Sequence, residues 1–75
     1  MRLLFVCVGN TCRSQMAEAV AKQMGHEAQS AGTNPGSVVA QDAIKVNGEI
    51  GIDMSGQYPK SVDDIDTTGF DRIIS

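Results

Sequence analysis

Residues 2–8, Arg-Leu-Leu-Phe-Val-Cys-Val, are almost uninterrupted apolar residues with no alternation, and Gly9-Asn10-Thr11 breaks the run at once. An unalternating run of this length, rich in branched and aromatic side chains, is a strand covered on both faces, as in a parallel sheet. The run is short for a secretory apolar core, and no small-residue cleavage site follows it, so it does not read as a signal peptide. No later stretch is long enough to span a bilayer as a helix. The default compartment is then the cytosol, where cysteines stay reduced.

The segments that follow alternate between helix and strand patterns. A helix is expected from Arg13 to Met24, with Met16, Ala17, Val20, Ala21 and Met24 on its apolar stripe and Glu18, Lys22 and Gln23 off it. Gly25 stops it. Residues 26–31 form a second, weaker strand, and residues 32–37, with Gly, Asn, Pro and Ser, form a loop. A second helix is expected over residues 40–50, turning Ala43, Ile44, Val46 and Ile50 inward, with Asn47 on the same face and Gly51 at its end. Residues 52–60 read as loop and Ser61-Val62-Asp63-Asp64 as a capped single turn. Residues 70–75 read as a third buried strand. The order β-α-β-α-β defines an α/β fold with a parallel sheet and right-handed crossovers.

Seventy-five residues make one domain at most, and a chain this short buries only about 60 % of the surface its unfolded form exposes. The formal charge of −3 and the absence of any basic cluster argue against a duplex nucleic-acid binder. A chain that stops within its third strand is expected to be the front part of a longer domain. The exposed edge at residues 70–75 is then expected to promote self-association.

The chemistry concentrates in Cys7-Val8-Gly9-Asn10-Thr11-Cys12-Arg13-Ser14. The first strand delivers Cys7 to the carboxyl end of the sheet, where open α/β folds bind ligands. The chain then turns back into a helix, so successive backbone N–H groups from Val8 to Ser14 can face one anion, reinforced by the helix N-terminus. Gly9 allows close backbone approach, and Asn10 tolerates the left-handed conformation such a cradle needs. Arg13 offers a planar fork matching two oxygens of a tetrahedral oxyanion. The same groups stabilise a thiolate at Cys7, with Ser14 as a further donor, which makes Cys7 the candidate nucleophile.

Other readings of these residues are weaker. Zinc would need four ligands, and only Cys7, Cys12 and His26 are attractive. A Walker-type nucleotide loop is excluded because no Gly-Lys-Ser or Gly-Lys-Thr occurs. Cys12 either pairs with Cys7 under oxidation, protecting it, or simply packs into the fold. His26, just past a helix end, reads as a solvated residue near the helix dipole.

From Cys7 to Ser14, with Met16-Ala17-Glu18-Ala19 behind it and Ser30-Ala31-Gly32-Thr33 later, the chain resembles the low-molecular-weight protein tyrosine phosphatases and the arsenate reductases built on their fold. The resemblance covers essentially all of residues 1–75, as the N-terminal part of a single low-molecular-weight phosphatase-like domain. It implies the three-layer, phosphotyrosine protein phosphatase I-like parallel sheet, truncated to β-α-β-α-β. Gln15 stands where the phosphatases usually have proline. Residues 51–55 and 59–64 are similar to the stretch the reductases show before their third strand, though Asn47 departs from the apolar residue usual at its position.

The reductase branch therefore matches best. For that branch the resemblance implies attack of Cys7 on arsenate held by the loop and Arg13, resolution by a second thiol, and reduction by thioredoxin or a similar dithiol, with no bound cofactor or metal. The phosphatase alternative implies a phosphocysteine hydrolysed with help from an aspartic acid. The family's general acid and resolving cysteines fall beyond residue 75, and Asp63, Asp64, Asp66 and Asp71 do not occupy the acid's position. A third alternative keeps the anion cradle without turnover, as a binding module.

Overall fold

A computed structural model describes residues 1–54 and 56–75; Ser55, part of the 51–55 resemblance, lies outside the described residues. The first strand is β1 (Arg2–Cys7), followed by α1 (Arg13–Gln23), β2 (Glu27–Gly32), α2 (Gln41–Glu49) and β3 (Arg72–Ile74). Two 3₁₀ turns, Val62–Asp64 and Thr67–Gly69, precede β3. The strands form one parallel sheet in the order β2-β1-β3. Leu3 is in register with Ala28 on one side and Arg72 on the other, and Leu4 with Gln29 and Ile73. The expected β-α-β-α-β order with a parallel sheet is the architecture the chain forms.

Strand β1 is paired on both edges, yet of its side chains only Leu4 is fully buried, and Leu3, Phe5 and Val6 are half-buried rather than covered on both faces. On β2, the side chains of Ala28, Ser30 and Ala31 are buried. Helix α1 packs across β1 and β2, while α2 rests against α1. The contact between the helices is made by small side chains, Ala19 and Ala43, filled in by Val39 and Met54 and flanked by Met16, Ala40 and Ile52. Positive φ at Gly25 and Gly51 closes the two helices at the expected residues.

Three expectations about faces need correction. On α1 the buried residues are Ser14, Gln15, Glu18, Ala19 and Ala21, whereas Met24 is exposed. The inward face is thus rotated toward Gln15 and Glu18, because Ser30 and Lys60 wait opposite with polar partners. On α2 only Ala43 and Asn47 are buried, and Ile44, Val46 and Ile50 stay exposed. This helix leans on one neighbour, so a narrow stripe four residues apart suffices, and the Asn47 amide sits 3.5 Å from the Met16 carbonyl. The third correction concerns β3, which is three residues long and exposed throughout, with Ile73 and Ile74 open on its surface.

The end of the chain is instead held from β1. The Asp71 carboxylate accepts the Arg2 backbone N–H at 2.7 Å. The Arg2 guanidinium donates to the Gly69 carbonyl at 2.7 Å and lies 5.1 Å over the Phe70 ring.

Candidate functional site

The chain leaves β1 at Cys7 and enters α1 at Arg13, so the residues between make a tight bridge at the carboxyl end of the sheet. Asn10 is its turning point. It is fully buried and adopts φ +52°, the one non-glycine residue in the left-handed region among the described residues.

The backbone carbonyls of this bridge are all taken up elsewhere in the fold. The Cys7 carbonyl accepts from Thr33 N–H at 3.0 Å, Val8 from Asn34 at 2.8 Å, Gly9 from Gly36 at 2.9 Å and Thr11 from Ala40 at 2.7 Å. The Cys12 carbonyl accepts the first α1 bond, from Met16 N–H at 2.9 Å. The Asn10 carbonyl accepts from the Gln15 side-chain amide at 2.9 Å. In a trans peptide the N–H points opposite to the preceding C=O. Each carbonyl drawn into the fold therefore turns the next N–H toward the loop's own side. The Asn10 N–H demonstrates the rule: with the Gly9 carbonyl held by Gly36, it points at Cys7 Sγ, 3.1 Å away. The N–H groups of Gly9, Thr11 and Cys12 have no acceptor among the described residues. Free amides gathered at a helix start are a general means of holding anions.

Side chains fix the polarity of the site. Asn10 Oδ1 accepts the Lys60 backbone N–H at 2.8 Å, a donor that cannot be reversed, so its Nδ2 faces Ser14 Oγ at 2.8 Å. Ser14 Oγ thus accepts from Asn10 and lies 2.9 Å from Cys7 Sγ. Its hydroxyl donates to the sulfur whenever the sulfur is a thiolate, and either atom can donate when it is a thiol. The Asn10 N–H points at this sulfur and the Ser14 hydroxyl is within reach of it, an arrangement that can serve a thiolate acceptor.

The eight residues singled out from sequence fall into two groups. Cys7, Asn10 and Ser14 are brought together by direct hydrogen bonds, with Asn10 and Ser14 buried and Cys7 half-buried. Val8, Cys12 and Arg13 are exposed and Gly9 and Thr11 half-buried, on the open side of the loop. Cys7 and Cys12 are both free thiols. The four aspartates near the chain's end lie elsewhere: Asp71 holds Arg2, and Asp66 accepts from the Thr68 N–H and hydroxyl at 3.0 and 2.6 Å. Those two bonds hold the Asp66 carboxyl below its ordinary range.

Sequence reasoning missed the supports of the loop. Gly32 approaches so closely that a Cβ there would lie 2.5 Å from the Val8 carbonyl oxygen. Residues 33–40 supply four of the donors just described. Gln15 and Gln57 tie the loop to residues 57–60, and Lys60 links back to Glu18. The Glu18 carboxylate, almost fully buried, accepts from Ser30 Oγ at 2.6 Å and pairs with Lys22 at 2.7 Å and Lys60 at 3.5 Å. The Glu18–Lys22 spacing of four residues was a readable signal for the first of these ion pairs. A cavity of about 620 Å³ opens beside this network, bordered by Glu18, Lys22, Gln29 and Lys60, and none of residues 7–14 lines it.

The fold and loop together are a parallel sheet whose first strand runs through Cys-x5-Arg-Ser into a helix, with Cys7 Sγ 3.1 Å from Asn10 N and 2.9 Å from Ser14 Oγ. The chain belongs to the low molecular weight phosphotyrosine protein phosphatase family, whose model matches residues 2–75. It is 40% identical over 77 residues to the glutaredoxin arsenate reductase of Synechocystis, covering 99% of this chain and 58% of that protein. A solved arsenate reductase in the phosphate binding state superposes with a TM-score of 0.90 at 36% identity, over 96% of this chain and 56% of that one. The low molecular weight protein tyrosine phosphatase from T. tengcongensis gives 0.82 at 41% identity, over 97% and 56%. The chain spans about half the length of the relatives it matches.

Proposed function

We propose that residues 1–75 carry the oxyanion cradle and nucleophile of an arsenate-reductase-like cysteine enzyme. Cys7 is the nucleophile, the N–H groups from Val8 to Ser14 hold the oxyanion, and Arg13 closes over two of its oxygens. The observation that carries this reading is that the loop carbonyls are held by the fold, combined with the Asn10 N–H on Cys7 Sγ and the Ser14 Oγ 2.9 Å from the same sulfur.

The Cys7 thiolate attacks arsenic, forming an S–As bond as one arsenate oxygen, once protonated, leaves as water. A second thiol, as its thiolate, then attacks the Cys7 sulfur. The S–As bond breaks with its electron pair remaining on arsenic, which leaves as arsenite. Arsenic gains two electrons and the two thiols become a disulfide, which an external dithiol of the thioredoxin or glutaredoxin type reduces. The name of the Synechocystis relative supports such a reductant. Disulfide turnover of this kind suits the reducing cytoplasm.

The phosphatase reading rests on the same cradle, since a low molecular weight tyrosine phosphatase superposes on the chain almost as well. There Cys7 attacks phosphorus and water later releases phosphate. Incubating the chain with arsenate and excess glutathione, and separately with an aryl phosphate, distinguishes the readings. Arsenite formation that Cys7→Ser abolishes supports the reductase. Aryl-phosphate hydrolysis without arsenite moves the assignment to the phosphatase. Protection of Cys7 by the anion with neither product makes it a binding module. The exposed Ile73 and Ile74 on the free side of β3 support self-association through residues 70–75, which sedimentation velocity tests as a concentration-dependent rise in mass.

A further inference from the structure

Gln15 is fully buried at the start of α1, one residue past the loop, and every polar atom of its side chain is engaged. The two hydrogens of its Nε2 serve three acceptors, the Asn10 carbonyl at 2.9 Å, Asn10 Oδ1 at 3.1 Å and the Tyr58 carbonyl at 2.9 Å, so one of them is shared. Its Oε1 accepts from Gln57 Nε2 at 2.7 Å, and the same Gln57 amide reaches the Gln15 carbonyl at 3.0 Å. The carbonyl acceptors fix which end of the amide is nitrogen.

The Asn10 carbonyl differs from its neighbours in the loop. Those of Cys7, Val8, Gly9, Thr11 and Cys12 are held by backbone N–H groups, whereas that of Asn10 is held by a side chain. The rotation of the Asn10–Thr11 peptide is set by Asn10 ψ and Thr11 φ, and Asn10 holds φ at +52°. A flip of this peptide plane would send the Thr11 N–H inward and the Asn10 carbonyl oxygen, a partial negative charge, toward the anion. We infer that Gln15 is a positioning residue that locks the Asn10–Thr11 peptide with its N–H facing the bound oxyanion, and that Gln57 braces Gln15 in that role.

The inference rests on the anion-cradle reading of residues 8–14, and the experiment separates the two. Inorganic phosphate is titrated into the ¹⁵N-labelled 75-residue chain and into Gln15→Met, which keeps the length and bulk of the side chain but has no amide. In the unsubstituted chain the amides of Gly9, Thr11 and Arg13 move together on binding. In Gln15→Met the Thr11 response is lost while Gly9 and Arg13 still respond, and phosphate affinity falls about tenfold, the size of one charge-assisted hydrogen bond. A general loss of fold would weaken all loop amides alike, so the selective loss marks positioning. Gln57→Met is expected to blunt the same Thr11 response by about half. A through-hydrogen-bond coupling from Gln15 Nε2 to the Asn10 carbonyl carbon, measured in the unsubstituted chain, tests the lock without any substitution. Absence of loop shifts in the unsubstituted chain overturns the cradle and this inference with it. Loop shifts there, with an unchanged Thr11 response in Gln15→Met or no coupling to Asn10, overturn the inference alone.

Discussion

Replacing Gly32 by alanine tests whether the loop is shaped by its supports. The added methyl would lie 2.5 Å from the Val8 carbonyl oxygen, 3.0 Å from Asn10 Cβ and 3.2 Å from Asn10 N. Carbon and carbonyl oxygen do not approach that closely, so one of the two segments must retreat by about half an ångström or more. Neither retreats freely. Val8 O is held by Asn34 N–H at 2.8 Å, and Gly32 N–H is held by the Lys60 carbonyl at 2.7 Å. Overpacking of this kind costs about 1–3 kcal/mol, against a total of about 4–11 kcal/mol for a chain of this length. With a urea dependence of about 1 kcal/mol per molar for a small domain, the unfolding midpoint falls by about 1–3 M with the slope unchanged. The amides of Val8, Gly9 and Asn10 shift in the folded variant, and phosphate binds more weakly. A midpoint within about 0.3 M of the unsubstituted chain, with those amides unmoved, would refute the claim that Gly32 sets the position of the loop.

Iodoacetamide is expected to label Cys7 faster than Cys12 despite the greater exposure of Cys12, with phosphate protecting Cys7; Ser14→Ala should narrow the difference by removing a donor to the sulfur, and equal rates unaffected by phosphate would count against it. Glu18→Ala leaves Lys60, with a side chain only 15% exposed, and Ser30 without their partner. A destabilisation of about 1–3 kcal/mol by denaturation is expected, less than the about 3–5 kcal/mol of a fully buried pair because Lys22 reaches solvent. The Asp66 carboxyl is lowered first by the Thr68 hydroxyl and then by the Thr68 N–H, so its contribution is present above the ordinary aspartate range and lost as pH falls through the lowered value. The Thr68 amide shift should titrate there in the unsubstituted chain and stay flat in Asp66→Asn.

The elements themselves were legible because their signals are local. The unbroken apolar run of β1, the helix-ending glycines and the alternation of element types each follow from a few neighbouring residues. The motif from Cys7 to Ser14 was legible for the same reason, being contiguous. The faces of the helices were harder to read. A stripe of apolar residues predicts burial only if the neighbour is apolar, and α1 instead meets Ser30 and Lys60, which makes Glu18 and Gln15 the residues that turn inward. Helix α2 meets one small-residue partner, which leaves Ile44 and Ile50 in solvent. The supports of the loop were invisible because they arrive from Gly32 to Ala40 and from Gln57 to Lys60, and nothing in the sequence says which distant N–H a given carbonyl will find.

The dispersed origin of those hydrogen bonds means that the motif is not portable. Four of the carbonyls between Cys7 and Thr11 are clamped by residues 33–40, and a fifth by a helix side chain that is itself braced from residue 57. An octapeptide copied from positions 7–14, or the same eight residues grafted between a strand and a helix of another protein, would keep every chemical group and lose the directions in which they point. A transplant that binds oxyanions would have to carry the 32–40 turn with it, so the smallest transferable unit of this site is several times longer than the motif by which it is recognised.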